Sequence, residues 1–336
     1  MRILIIKPSS LGDIIHSLPV LVALRKLYPD GYISWLVFDK FSEILSNNGL
    51  LNDIIVWKRR STLLELIQLE KKIRSAKYDI TIDLQGLART ALVALFSGAG
   101  KRIGVPGMKE LSWLFTKETG KFDAGEHAVD RNLRVIKYLT ENNNMDLSEF
   151  KQFPITVPAN DLQYVKTLLS KNPGNKYIGI LPAAGIPQKM WPLKNFAKLC
   201  DLIAENLKCT SVFMGSAADT KITAEIIRLM KTKSYVDISG KTTLIQLAGA
   251  LSLCSLVTGN DTGPLHIAAA MGIKVIGFYG PSNPNQLKPY SEKSHVFYKN
   301  NNCSPCGINP GCKNNVCLSS ITVDEAFNCI KNNILL

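Results

Sequence analysis

The chain carries one pattern twice. Short aliphatic and β-branched runs alternate with stretches of helical periodicity, and a polar interval separates the two series. The first series has strand-like runs at residues 2–7, 32–38, 53–57, 78–84 and 102–105, with helix-like stretches at 12–28, 41–47, 63–76 and 88–96. The second has runs at 177–181, 210–214, 235–238, 256–258, 275–279 and 295–298, helices at 193–206, 219–231, 243–251 and 264–271, and a last amphipathic stretch at 323–332. Strands separated by helices run parallel, and the crossover helices cover both faces of the sheet. The pattern therefore predicts an α/β chain of two open sheet domains. At roughly 150 residues per domain, a length of 336 residues agrees. Residues 141–160, with Asn142, Asn143, Asn144, Pro154 and Pro158, read as the joint. In such sheets ligands bind at the carboxyl ends of the strands, and a cleft between two such domains is the default site.

Composition narrows the function. With 46% hydrophobic and 20% charged residues, the chain builds true cores and is not disordered. No apolar stretch approaches the roughly 20 residues of a membrane span. The first apolar run is interrupted at Lys7 and reads as a strand, not an export signal, so a cytoplasmic location is expected. The formal charge of +13 predicts an acidic partner: nucleic acid, an anionic membrane surface or a phosphorylated substrate. The basic clusters, Lys58-Arg59-Arg60 and Lys71-Lys72, contain no interleaved aromatics to stack on bases, so no specific nucleic-acid partner is expected.

Two glycine stretches fail as phosphate motifs. Ser239-Gly240-Lys241-Thr242 ends like a P-loop, but Tyr235 stands where that motif needs glycine. The 98–104 stretch is one residue too long for a dinucleotide fingerprint and precedes a strand. Three turns at strand ends are better placed: Ser9-Ser10-Leu11-Gly12-Asp13, the turn at 215–219, and Gly259-Asn260-Asp261-Thr262-Gly263-Pro264. In the last, Thr262 suits an N-cap and Pro264 a first-turn position, so the following helix aims its free N–H groups at the strand end. That arrangement suits a diphosphate, or is a well-capped turn with no ligand.

Taken in order, these motifs resemble glycosyltransferase family 9, the ADP-heptose:lipopolysaccharide heptosyltransferases. The resemblance runs through the segment 2–19, Tyr78-Asp-Ile-Thr-Ile-Asp-Leu-Gln-Gly86, His127-Ala-Val-Asp-Arg131, Lys189-Met-Trp-Pro192, Phe213-Met-Gly-Ser216, Asn260-Asp-Thr-Gly-Pro-Leu-His266 and Tyr279-Gly-Pro-Ser282. The N-terminal half is most like heptosyltransferase I, and the 213–216 and 279–282 turns are equally like heptosyltransferase II. The resemblance implies a GT-B fold of two Rossmann-like domains across a cleft. It divides the chain into an acceptor domain at 1–155, a donor domain at 156–322 and a C-terminal helix at 323–336.

The implied reaction is inverting transfer of L-glycero-D-manno-heptose from ADP-heptose to a Kdo or heptose residue of the lipopolysaccharide inner core. Another nucleotide sugar used in surface glycan assembly is the alternative. Such a transfer needs a base for the acceptor hydroxyl and charge stabilisation for the leaving diphosphate. The resemblance implies Asp13 as the base and Lys189 as the cation on the diphosphate. It also implies donor contacts from Gly12, Gly215, Ser216, Asp219, Asp261, Thr262, Gly263 and His266. Asp219 is shorter than the glutamate that the family carries there. On the acceptor side, His16, Arg59, Arg60, Gln85, Arg89, His127 and Arg131 suit a lipid-anchored glycolipid bearing carboxylates and phosphates. Such an acceptor implies peripheral contact with the cytoplasmic leaflet of the inner membrane. The chain holds no Asp-x-Asp pair, so no cofactor is expected for catalysis. Within the 303–317 loop, Cys303, Cys306, Cys312 and Cys317 are spaced C-x2-C-x5-C-x4-C, which suits a structural Zn²⁺ or Fe–S cluster, or else reduced thiols.

Overall fold

The computed structural model describes residues 1–170, 176–307, 312 and 315–335. The chain divides into two compact units, Met1–Thr156 and Val157–Leu336. The first is built on strands β1 (Arg2–Ile6), β2 (Tyr32–Phe38), β3 (Asp53–Trp57), β4 (Ile80–Asp83), β5 (Lys101–Gly104) and β6 (Lys117–Glu118). They form one sheet in the order β3-β2-β1-β4-β5-β6, with every pairing parallel. A central parallel strand is covered on both faces, so it does not alternate. β1 obeys this rule, with Ile3, Leu4, Ile5 and Ile6 all fully buried.

The second unit repeats the topology with β7 (Tyr177–Leu181), β8 (Thr210–Phe213), β9 (Tyr235–Asp237), β10 (Leu256–Asn260), β11 (Lys274–Tyr279) and β12 (Ser294–Tyr298). Their order is β12-β11-β10-β7-β8-β9, again all parallel. Both sheets reverse their winding between the first and fourth strands of the series, at β1/β4 and β7/β10. β7 and β10 approach closely: a Cβ on Gly259 would lie 2.4 Å from the Leu181 carbonyl oxygen, so only glycine fits. Helix Val323–Leu335 belongs to this unit, and its Ala326 and Ile330 pack into the same core as Trp191, Phe196 and Phe278.

Three local readings change. The helix expected over 12–28 is two, Leu11–Ile15 and Leu18–Leu27. Pro19 has no N–H to give Ile15, so the first helix ends there, and the Ser17 hydroxyl caps the break by donating to the Asp13 carbonyl at 2.7 Å. Among the described residues, two helices of more than ten residues escape the periodicity reading, Ala128–Thr140 and Ala159–Leu169. The interval 141–160 is also more than a joint: Phe150 is buried, and Glu149 pairs with Lys26 at 2.5 Å. Among the described residues no helix is long and apolar enough to cross a membrane.

Candidate active site

In the second unit the site grows from the β7/β10 switch point. Asp261 follows β10 directly and is 8% exposed. Its Oδ2 accepts from Lys189 Nζ at 2.5 Å and from Ser282 Oγ at 2.5 Å. His266 Nε2 lies 3.9 Å from Oδ1. Burial pushes the Asp261 carboxyl up, but the His266 donor and the Lys189 charge outweigh it and hold it well below the usual carboxylate range. Tyr279 stands nearby, its hydroxyl raised by burial and by the Asp261 charge. Thr262 is the N-cap of helix Gly263–Ala270, with Pro264 in its first turn. The expected turn therefore exists, with a buried anion and a cation beside its N–H groups.

Lys189 reaches Asp261 because Trp191 anchors the loop between them. The Trp191 ring is fully buried, stacks on Phe278 at 4.4 Å and donates from Nε1 to the Ile321 carbonyl at 2.9 Å. Its backbone N–H donates to Asn260 Oδ1 at 2.8 Å, and Asn260 Nδ2 donates to the Pro182 carbonyl at 2.6 Å. One buried amide thus clasps both ends of the 182–191 loop. Asn260 and Ser282 lie within motifs singled out by sequence, but neither was assigned a role. Their polarity alone gives no sign that sheet pairing brings them to the site.

Gly215, Ser216 and Asp219 form the turn after β8. Ser216 donates from its backbone N–H and its hydroxyl to Asp219 Oδ2, at 2.8 and 2.7 Å. That oxygen of Asp219 caps a helix start.

In the first unit Asp13 makes the same box with Ser10, whose N–H and hydroxyl donate to Oδ2 at 3.0 and 2.8 Å. Unlike Asp219, Asp13 faces two cations. Lys7 is 6% exposed and donates from Nζ to the Leu84 carbonyl at 2.8 Å. Burial lowers its pKa, while the charges of Asp13 and Asp83 pull it back up. Arg131 is likewise lowered by burial and raised by Asp13. The His16 and His127 rings meet edge to face with centroids 5.0 Å apart. His127 caps helix Ala128–Thr140, its Nδ1 accepting from the Val129 N–H at 3.1 Å. Asn132 fastens that helix to the break after Asp13, donating to the His16 carbonyl at 3.2 Å and to Ser17 Oγ at 3.1 Å.

Asp13, His16, His127 and Arg131 are thus brought together by two helices. Gln85 follows β4, beside β1, and its N–H donates to buried Asp83. Arg89 is exposed on helix Ala88–Phe96, its guanidinium 5.4 Å from the Phe38 ring centre. Arg59 and Arg60 are exposed beyond β3, which lies two strands from β1, roughly 10 Å along the sheet. A hollow of about 560 Å³ on the outer side of helix Ala128–Thr140 is lined by Asp130, Arg134, Lys137 and neighbours, and by none of the predicted residues.

The four cysteines of the 303–317 loop lie among the described residues. Cys317 is buried and its thiol is raised by burial, then by the charges of Cys312, Cys303 and Cys306, so the four sulfurs share one neighbourhood. Even so, among the described residues no three His, Cys, Asp or Glu side chains are placed to hold an ion. Residues 308–311, 313 and 314 of this loop lie outside the described residues. The loop does brace the site: Ser304 Oγ donates to the Gly280 carbonyl at 2.5 Å, and Asn315 Nδ2 to the Pro187 carbonyl at 3.0 Å.

The chain is similar to the lipopolysaccharide core heptosyltransferase OpsX of Haemophilus influenzae, with 24% identity over 297 residues covering 87% of this chain and 82% of that one. Its structure resembles that of a family 9 glycosyl transferase from Veillonella parvula, with a TM-score of 0.87, 26% identity and coverage of 99% and 97% of the two chains. It also resembles the Escherichia coli ADP-heptose lipopolysaccharide heptosyltransferase II, with a TM-score of 0.82, 25% identity and coverage of 100% and 99%. The two parallel six-stranded sheets are thus the two-domain α/β fold of GT-B heptosyltransferases. The family model for glycosyltransferase family 9 (heptosyltransferase) matches residues 66–314, a span that includes Lys189, Asp261 and Ser282. The chain belongs to glycosyltransferase family 9, the heptosyltransferases, and is an enzyme.

Proposed function

We propose that the protein transfers L-glycero-D-manno-heptose from ADP-heptose to a Kdo or heptose residue of the lipopolysaccharide inner core, with inversion and with Asp13 as general base. The observation that carries this reading is the Lys189–Asp261–Ser282 network in front of the Gly263 helix N-terminus. The Lys189 ammonium has three N–H groups and gives one to Asp261, which leaves donors for a diphosphate. The helix N–H groups add their partial positive charge. Asp261, held ionised, suits the hydroxyls of a sugar. As the acceptor hydroxyl oxygen bonds to the anomeric carbon, its proton passes to Asp13. The bond to the diphosphate oxygen breaks, and the charge left on ADP meets Lys189 and the helix. Lys7 and Arg131 favour the ionised form of Asp13 that this step needs. No step passes through a metal. The acceptor is lipid-anchored, so the enzyme works peripherally at the cytoplasmic face of the inner membrane.

A second reading keeps the reaction and changes the donor. The short Asp219 side chain is committed to its Ser216 box, which weakens its claim on a ribose, a group that ADP-, UDP- and GDP-sugars share. The test is transfer from ADP-heptose, beside UDP- and GDP-sugars, into defined truncated lipid A–core acceptors. Transfer only from a different sugar nucleotide would replace the donor assignment. Asp13→Asn is expected to fold normally and lose at least roughly 100-fold in kcat, the scale of a general base. Turnover near wild type would remove Asp13 from that role.

A further inference from the structure

Helix Leu63–Ser75 is anchored on one side only. Ile73 and Leu69 pack on the core beneath β2 and β3. On the other side Leu63, Leu64 and Ile67 are 74%, 64% and 40% exposed. At about 100° per residue these three share an arc of about 100° with Lys71 and Arg74. The folded unit has no use for this apolar face, and a contiguous exposed apolar patch marks an interaction surface. Its surroundings are cationic. Lys58, Arg59, Arg60, Lys71, Lys72 and Arg74 stand against Glu65 and Glu70 alone across residues 58–74. Two of these cations are already paired, Lys58 Nζ with Glu65 Oε1 at 2.8 Å and Lys72 Nζ with Asp53 Oδ2 at 3.8 Å, which leaves Arg59, Arg60, Lys71 and Arg74 against Glu70.

We propose that this face, Leu63, Leu64 and Ile67 with its basic border, is the surface by which the enzyme docks on an anionic lipid bilayer. An amphipathic helix with cations beside its apolar face lies in the plane of the interface, its leucines among the acyl chains and its lysines among the phosphates. A second copy of the chain is a poorer occupant, because a two-fold contact here would set the same excess of positive charge against itself. The choice of partner rests on the lipid-anchored acceptor proposed above. The place rests on exposure and charge.

Co-sedimentation with vesicles tests it. The wild type is expected to bind phosphatidylethanolamine–phosphatidylglycerol vesicles, to release them as salt rises, and to ignore phosphatidylcholine. Replacing all three apolar residues (Leu63→Ser, Leu64→Ser, Ile67→Ser) should lower the partition coefficient roughly tenfold. Lys71→Gln with Lys72→Gln should lower it by a similar factor and flatten the salt dependence. In both variants transfer to a delipidated, water-soluble acceptor should match wild type, while transfer to a vesicle-embedded acceptor should fall. Equal vesicle binding by variants and wild type would overturn the proposal. So would a variant that changes oligomeric state by light scattering and leaves vesicle binding alone. Failure of heptose transfer to every acceptor would defeat the functional reading, and the vesicle result would still judge the surface.

Discussion

Replacing Asp83 by asparagine should stabilise the protein at neutral pH and do nothing for it in acid. Asp83 ends β4, is fully buried, and its carboxyl is pushed up from 3.8 to about 6 by that burial. The N–H groups of Gln85 and Gly86, the Thr90 hydroxyl and the Lys7 charge oppose this rise without cancelling it. Below 3.8 the group is neutral in both states. Between 3.8 and about 6 the unfolded chain ionises first and binds fewer protons than the native one, so stability falls as pH rises. Above about 6 the full cost of folding an ionised Asp83 is present. A tenfold change in a proton equilibrium is worth about 1.4 kcal/mol, so the gap between the unfolded and folded values costs about 3 kcal/mol. Asparagine fits the same contacts. Its Oδ1 keeps the Gln85 and Gly86 N–H groups, and its amide donates to Thr90 Oγ, whose own proton goes to the Leu87 carbonyl at 2.9 Å. The assay is urea unfolding of both proteins at pH 5 and pH 7.5, read as the difference between them, which cancels the other carboxylates. By pH 5 about half of that cost is already present, so Asp83→Asn is expected to gain about 1.4 kcal/mol on wild type over that range. A variant destabilised by the same amount at both pH values would refute the reasoning, because the native carboxylate would then be ionised throughout.

The remaining predictions concern the second unit. Lys189→Met leaves buried Asp261 without its cation, so stability should drop by about 2 kcal/mol and the KM for donor should rise; an unchanged KM would separate Lys189 from the diphosphate. The depressed Asp261 carboxyl gives stability that is present above its ordinary pKa and lost only well into acid. In Lys189→Met the folded carboxyl rises toward its ordinary value, so acid should take away less stability and the loss should be complete at a higher pH, as acid unfolding would show. Asn260→Ala orphans the Trp191 N–H and the Pro182 carbonyl, at about 1–3 kcal/mol each. Asn260→Asp should not restore it, because a carboxylate oxygen would then oppose the Pro182 carbonyl.

How legible this chain was depends on distance along it. Central strands such as β1 are continuous apolar runs bounded by turns, so the two sheets could be read from sequence. Helix Ala128–Thr140 could not, because its apolar positions Val129, Leu133 and Ile136 form one narrow stripe among charges. Its cap is also His127, which is not a usual N-cap residue. The Pro19 break was equally legible in principle, and the continuous periodicity through 12–28 hid it. In the site the same division holds. Asp261, Thr262 and Gly263 declare themselves as a glycine turn within a few residues. The partners that give Asp261 its chemistry lie 72 and 21 residues away, in Lys189 and Ser282. Only strand order makes them neighbours: β7 and β11 flank β10, so the loops that leave them meet the loop after β10. The cysteine spacing has the converse limit. A regular interval along the chain fixes which thiols are near one another, and not whether their sulfurs converge on one point. Topology, then, brings the groups together. The same winding reversal stands at β1/β4 and at β7/β10, and each collects ionisable groups from loops remote in sequence. The first gathers Lys7, Asp13 and Asp83, and the second gathers Lys189, Asp261 and His266. A substitution that leaves these side chains intact but displaces a strand end, such as Gly259→Ala against the Leu181 carbonyl, should therefore disturb the Lys189–Asp261 network as much as removing Ser282.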